Sequence, residues 1–210
     1  MPRALQYDRQ QALERAVGLF WSKGYQAASL KQIEVALDMR PGSLYAAFGS
    51  KQELLIEALG LYAEQMFGLF EWHLARTASP LAGFKGFVHQ LVLGGPDQGL
   101  PAVRACLMVK VLLELGDDNS VVNAEINRLL EATEAGFEQM LQQARAVGEL
   151  RSDLDCRRLA RLLQIQVMGL RSYAQRDLSR ADLEALVSDV CALVDAYAQA
   201  PQVTSAKANS

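Results

Sequence analysis

Between Ser29 and Lys51 the chain sets small, hydroxylic and basic side chains at short intervals: Ser29, Lys31, Arg40, Pro41, Gly42, Ser43, Tyr45, Ala46 and Lys51. The chemistry within their reach is recognition of a polyanion rather than bond-making. Ser43 and the backbone around Gly42 are slim enough to approach base edges or phosphates, the Tyr45 phenol can donate to a phosphate, and Arg40 is a long bidentate donor suited to guanine. The methyls of Ala46 and Ala47 can touch thymine methyls but donate no hydrogen bond. Lys51 falls in the first turn of an expected helix, where its charge opposes the helix dipole, so a nearby phosphate accounts for it better than helix stability does. Ser29 and Lys31, at another helix start, suit further phosphate contacts.

The second candidate is Cys106, which follows Arg104 and precedes Lys110 by one helical turn. An expected helix N-terminus and two cations favour the thiolate, the reactive form of cysteine. Cys156 and Cys191 have no comparable setting, and three thiols without a CxxC pair predict reduced side chains. His73 and His89 lack ligand spacing, so neither a metal site nor a cofactor is expected. P-loop, dinucleotide-binding, zinc-protease and serine-hydrolase signatures are absent, and a Cys106–His89 pair has no orienting third group; no enzyme is expected.

Positioning these residues requires helices, and apolar residues recur at helical spacing along most of the chain while alternating β-branched runs are missing. Asp8 is expected to cap a first helix that ends at Gly24 and buries Ala12, Leu13, Ala16, Val17 and Phe20. Ser29 to Gln32 is a capping box for a helix over 29–36, and Pro41 suits the first turn of another over 41–48, with Leu44 and Phe48 on one face. Ser50 to Glu53 is a further box, opening a long helix. Two short helices joined by the tight Leu37-Asp38-Met39 connection have helix-turn-helix geometry, in which the second lies in the DNA major groove. Further helices are expected near 81–94, 103–115, 119–147, 154–176 and 180–199.

The fold class expected is therefore all-α: a three-helix DNA-binding domain over 1–52, a larger helical ligand-sensing and dimerisation domain over 53–200, and a disordered tail over 201–210. Charge agrees with this division. The whole chain carries −3, yet residues 1–52 hold seven basic and four acidic side chains, a basic head on an acidic body. Half of the residues are hydrophobic, which allows a sizeable core. No apolar run is long enough to span a membrane and MPRALQYDRQ has no signal-peptide core, so a cytoplasmic location is expected.

In the larger part, Met66, Phe67, Phe70, Phe84, Phe87, Met108, Leu112 and Met168 supply adaptable and aromatic side chains for an apolar effector pocket behind the long helix, although such residues also serve as plain core. The stripes containing Leu163, Val167 and Leu170, and Leu186, Val190 and Val194, each exceed one helix face, as expected of helices buried both on their own core and on a partner copy.

The run from Phe20 through Gly24, Tyr25, Ser29, Leu30, Ile33 and Ala36 to Gly42-Ser43-Leu44-Tyr45-Ala46-Ala47-Phe48-Gly49-Ser50-Lys51 closely resembles the DNA-binding signature of the TetR family, in register over about residues 9–55. Many members have a histidine or asparagine where Ala46 and Ala47 stand here. The resemblance implies a homodimeric regulator, a repressor of double-stranded operator DNA, whose last two helices pair with their symmetry mates in a four-helix bundle. It also implies a small apolar or electrophilic effector. Ala105-Cys106-Leu107 is similar to the Gly-Cys-Leu start of the sixth helix in an electrophile- and redox-responsive subgroup, with Ala105 in place of the glycine.

Overall fold

The computed structural model describes residues 8–94 and 105–198. Asp8 accepts hydrogen bonds from the amides of Gln10 and Gln11 and so starts α1 (Arg9–Lys23), which Gly24 ends at φ 88°. Ser29 and Gln32 exchange both bonds of the expected capping box at α2 (Leu30–Leu37). Asp38 then turns the chain in the left-handed region, φ 55°, a conformation that Asp tolerates better than most non-glycine residues. Pro41 opens α3 (Pro41–Phe48) and Ser50 caps α4 (Lys51–Leu74).

The chain continues through α5 (Pro80–Leu93), α6 (Leu107–Leu115), α7 (Ser120–Ala146), α8 (Cys156–Tyr173) and α9 (Arg180–Ala192). A helix beginning at 103 was expected, but α6 begins at Leu107, with Cys106 as its N-cap; residue 104 lies outside the described residues. The last helix was expected to run to 199; instead α9 stops at Ala192 and tightens into a 3-10 turn over Leu193–Tyr197. The expected tail over 201–210 also lies outside the described residues. Among the described residues no helix is long and apolar enough to cross a membrane.

Two clusters of buried side chains make the core. One joins α1, α2, α3, the first half of α4, α6 and the start of α7 around Phe20, Ile33, Leu55, Tyr62, Leu107 and Ile126. The other joins the second half of α4, α5, the rest of α7, α8 and α9 around Phe84, Met140, Leu141, Leu163 and Val194. The long helices α4 and α7 contribute to both. Short α2 and α3 are below the length at which an isolated helix is marginal, so burial of Ile33, Leu37, Leu44 and Phe48 is what holds them.

Candidate nucleic-acid interface and effector pocket

Leu44 and Phe48 tie α3 to the core, and that anchoring turns the opposite face outward: Arg40, Pro41, Gly42, Ser43, Tyr45 and Ala46 are all exposed. Ala47 is instead half-buried against the core, so of the two alanines only Ala46 is free to meet a base. Ser29 and Lys31 are exposed at the start of α2, although the Ser29 hydroxyl is already accepting from the Gln32 amide. Lys51 is half-buried, with its ammonium 4.4 Å from the centre of the Tyr25 ring. Burial lowers its pKa and the Glu114 charge pulls it back up. A cation–π contact and a nearby carboxylate thus offset the unfavourable helix position that had pointed to a phosphate alone.

Gly42 has no positive φ, and a Cβ added there would meet nothing within 4 Å. The free protein has no steric need for glycine at this exposed position.

Behind the interface, Tyr62, Met66, Phe87, Leu91, Cys106 and Met108, with Thr133, Phe137, Gln164, Val167, Met168 and Arg171, surround a small cavity of about 50 Å³. Of the side chains expected in an effector pocket, Met66, Phe87, Met108 and Met168 line it. The others do not. Phe70 and Phe84 are buried in an aromatic cluster, each edge-on to Phe137. Phe67 is half exposed near Gly136, and Leu112 packs against the first core cluster. Helical spacing identifies a buried face but not which part of it borders a cavity. A larger concavity of about 630 Å³, lined by Asp8, Arg15, Glu34, Asp38 and Arg40 among others, is an open charged cleft beside the α2–α3 turn and is ill suited to an apolar ligand.

Three polar groups meet in the small cavity. Arg171 Nη1 donates to the Tyr62 hydroxyl at 2.8 Å, and the Cys106 thiol approaches the same hydroxyl. Burial, then the Cys106 thiol, push the Tyr62 phenol far above its ordinary pKa, and Arg171 draws it back. Lys110, expected to favour the Cys106 thiolate, points elsewhere: its ammonium donates to the carbonyls of Trp21 and Ser22. Cys106 itself is buried, and burial raises the thiol pKa values of Cys156 and Cys191.

The cavity touches the helix-turn-helix part directly. Tyr62 packs edge-on against Trp21, ring centroids 5.2 Å apart, and the Trp21 indole donates to the Ala105 carbonyl at 2.7 Å. From the far end of α6, Glu114 accepts from the amides of Tyr25 and Gln26. Sequence reasoning missed Tyr62 as a cavity residue, Arg171 and Glu114. Arg171 was detectable, because it falls four residues after Val167 and eight after Leu163 on an otherwise apolar stripe. Glu114 carried no such signal.

Leu163, Val167, Leu170 and Val194, expected to face a partner copy, are buried in the chain's own core, with Leu163 and Val194 at 0% exposure. Leu186 and Val190 are half-buried against that core. The outer face of α8 is Ile165, 58% exposed, with Gly169, Ser172 and Tyr173. The sequence stripe merged inner and outer faces because α8 carries apolar residues on both. Among the described residues no group of His, Cys, Asp or Glu is placed to hold a metal ion.

An exposed recognition-type helix on a three-helix head, joined to a larger helical body, defines a helix-turn-helix regulator. Residues 12–58 match the family described as bacterial regulatory proteins, tetR family, and residues 98–190 match the tetracyclin repressor-like C-terminal domain. The chain belongs to the TetR family. It is similar to the TetR-family regulator CifR, solved as a cysteine mutant with 26-base-pair double-strand operator DNA, at 31% identity and a TM-score of 0.79 over 91% of this chain and 98% of that one. It is 26% identical over 174 residues to the transcriptional repressor ComR of Escherichia coli K12, covering 82% of each chain. The reduced form of Escherichia coli NemR, 19% identical with a TM-score of 0.76 over 93% of this chain and 98% of that one, shares the fold.

Proposed function

We propose that this chain is a cytoplasmic, homodimeric repressor that binds operator DNA through α3 and is released by an effector acting at the cavity behind α4. The observation carrying this reading is the outward α3 face, where Arg40, Pro41, Gly42, Ser43, Tyr45 and Ala46 are exposed while Leu44 and Phe48 anchor the helix. Ser29, Lys31 and Lys51 flank it and supply phosphate contacts. The operator complex of CifR and the repressor role in ComR's name favour the same reading. Residues 1–52 form the DNA-binding part, and 53–200 the sensing and dimerisation part. The test is titration of purified protein against duplex DNA from upstream of its own gene: tight, sequence-selective, salt-dependent binding is expected, and equal affinity for unrelated duplex would contradict it.

Dimerisation uses the outer face of α8, around Ile165, Gly169 and Tyr173, with exposed α9 residues beside it, since the inner face is already occupied. Release has two chemical routes in the same cavity: a small effector between Met66, Met108 and Met168, or covalent modification of Cys106. A modified Cys106 is larger than its packed site and must displace Tyr62 or the start of α6, both of which touch Trp21.

A further inference from the structure

Among the described residues, the cavity behind α4 holds a cation without a counter-ion. Arg171, in the last turn of α8, is 5% exposed and lines the cavity wall. One guanidinium nitrogen donates to Tyr62, while its Nε–H is buried and has no acceptor among the described residues. None of the ion pairs among the described residues includes Arg171, and the described residues around the cavity include no carboxylate. The Trp21 ring, 5.8 Å from the guanidinium carbon, and the C-terminal end of the α8 dipole offset part of the cost of burying the charge. Neither gives the Nε–H an acceptor. Buried guanidinium groups are otherwise paired, because a desolvated charge left alone is costly.

The other walls limit what could pair with it. Met66, Phe87, Met108, Phe137 and Met168 are apolar or aromatic, and because the cavity of about 50 Å³ is smaller than a six-carbon acid, the methionines must repack to admit one, as their flexible side chains allow. Inorganic anions would forfeit hydration against such walls. We infer that the effector is an organic acid, with its carboxylate on the Arg171 Nε–H and its apolar body among these methionines and phenylalanines. This inference rests on the proposed effector role of the cavity and names the chemical class that role takes. The geometry suits planar, forked recognition, which guanidinium provides for carboxylate and an ammonium does not. Seating the acid shifts Arg171 on Tyr62 and on Trp21, so the head of the protein receives the signal without a covalent step.

The full-length protein tests this with hexanoate and benzoate, their neutral amides, and inorganic phosphate, read by thermal unfolding and tryptophan fluorescence. Either acid should raise the melting temperature and change the fluorescence, while the amides and phosphate do neither. Arg171→Met relieves the unpaired charge but takes the donor from the buried Tyr62 hydroxyl, so its binding is compared with that of Arg171→Met/Tyr62→Phe, which removes both partners and should stay folded. The affinity of both variants for the acids should fall about 10- to 100-fold. Arg171→Lys, which keeps the charge and loses the fork, should fall between wild type and Arg171→Met. An equal response to acid and amide, a response to phosphate matching that to the acids, full acid affinity in Arg171→Met, or no response of wild type to either acid would each overturn the inference. Operator binding by wild type without acid is scored separately: its absence counts against the proposed function, whereas intact operator binding beside a silent acid series overturns this inference alone.

Discussion

The carboxylate of Glu114 lies 2.8 Å from the backbone amide of Tyr25, across 89 positions of sequence, and its other oxygen takes the Gln26 amide at 2.6 Å. Gly24 makes the approach possible: at φ 88° it has no Cβ, and one added there would come 2.8 Å from the Glu114 carboxylate. The last turn of α6 therefore grips the turn that leads into α2, while Ala105 and Cys106, just ahead of its first turn, hold the Trp21 indole and line the cavity. Both ends of one short helix report to the helix-turn-helix part.

Replacing Glu114 by Gln should be as damaging as replacing it by Ala, because both oxygens are engaged and the amide would turn an N–H toward an N–H. Denaturant unfolding should register a loss of about 2 kcal/mol for either variant. A Gln variant as stable as wild type would mean that only one of the two bonds matters.

Gly42→Ala separates folding from recognition. An exposed helical glycine with open space around its Cβ position should gain about 0.5–1 kcal/mol on conversion to alanine. Operator affinity should fall about tenfold, a cost of about 1.4 kcal/mol, if the backbone there approaches DNA closely. Higher stability with unchanged affinity would remove Gly42 from the interface.

Arg40→Ala and Lys51→Ala should differ in kind. Loss of Arg40 should relax preference at one base position by about 1–3 kcal/mol, and loss of Lys51 should weaken all sequences alike and flatten the salt slope by about one unit. Lys51→Ala also gives up its contact with Tyr25, so its unfolding is measured beside its binding.

Most of the fold was legible because its signals are local. Asp8, Ser29, Pro41 and Ser50 cap or start the helices expected of them, and Gly24 and Gly49 end theirs. The cavity was half legible: the methionine and aromatic stripes located its neighbourhood, but Phe70 and Leu112 share that periodicity and are core. Least legible were contacts between distant segments, such as Glu114 with Tyr25 and Arg171 with Tyr62, since one sequence gives no sign of which turn meets which helix. The α8 stripe was ambiguous for a related reason, because periodicity cannot distinguish a chain's own core from a partner.

That distinction is open to test. Ile165→Arg should convert a dimer to a monomer in sedimentation while leaving helicity intact, because the side chain is exposed in the single chain. Leu170→Asp should unfold the protein, since it buries an unpaired charge in the core of one chain. A folded Ile165→Arg dimer would move the interface off this face of α8.

Cys106 is tested with a thiol-reactive maleimide on wild type, Cys106→Ser and Cys156→Ser/Cys191→Ser. Operator release should follow modification in wild type and the double variant and be absent in Cys106→Ser. Release that persists in Cys106→Ser would leave Cys106 as a packing residue beside Tyr62 and return the weight to a non-covalent effector.

The most direct test of the central claim, that the exposed face of α3 holds operator DNA, is the salt dependence of binding by wild type, Ser43→Glu and Tyr45→Glu to the duplex upstream of the chain's own gene. The account predicts selective binding by wild type that weakens steeply with salt, and its loss in both variants with melting temperatures unchanged, because neither residue is buried. Undiminished, sequence-selective binding by both glutamate variants would place the DNA elsewhere on the molecule.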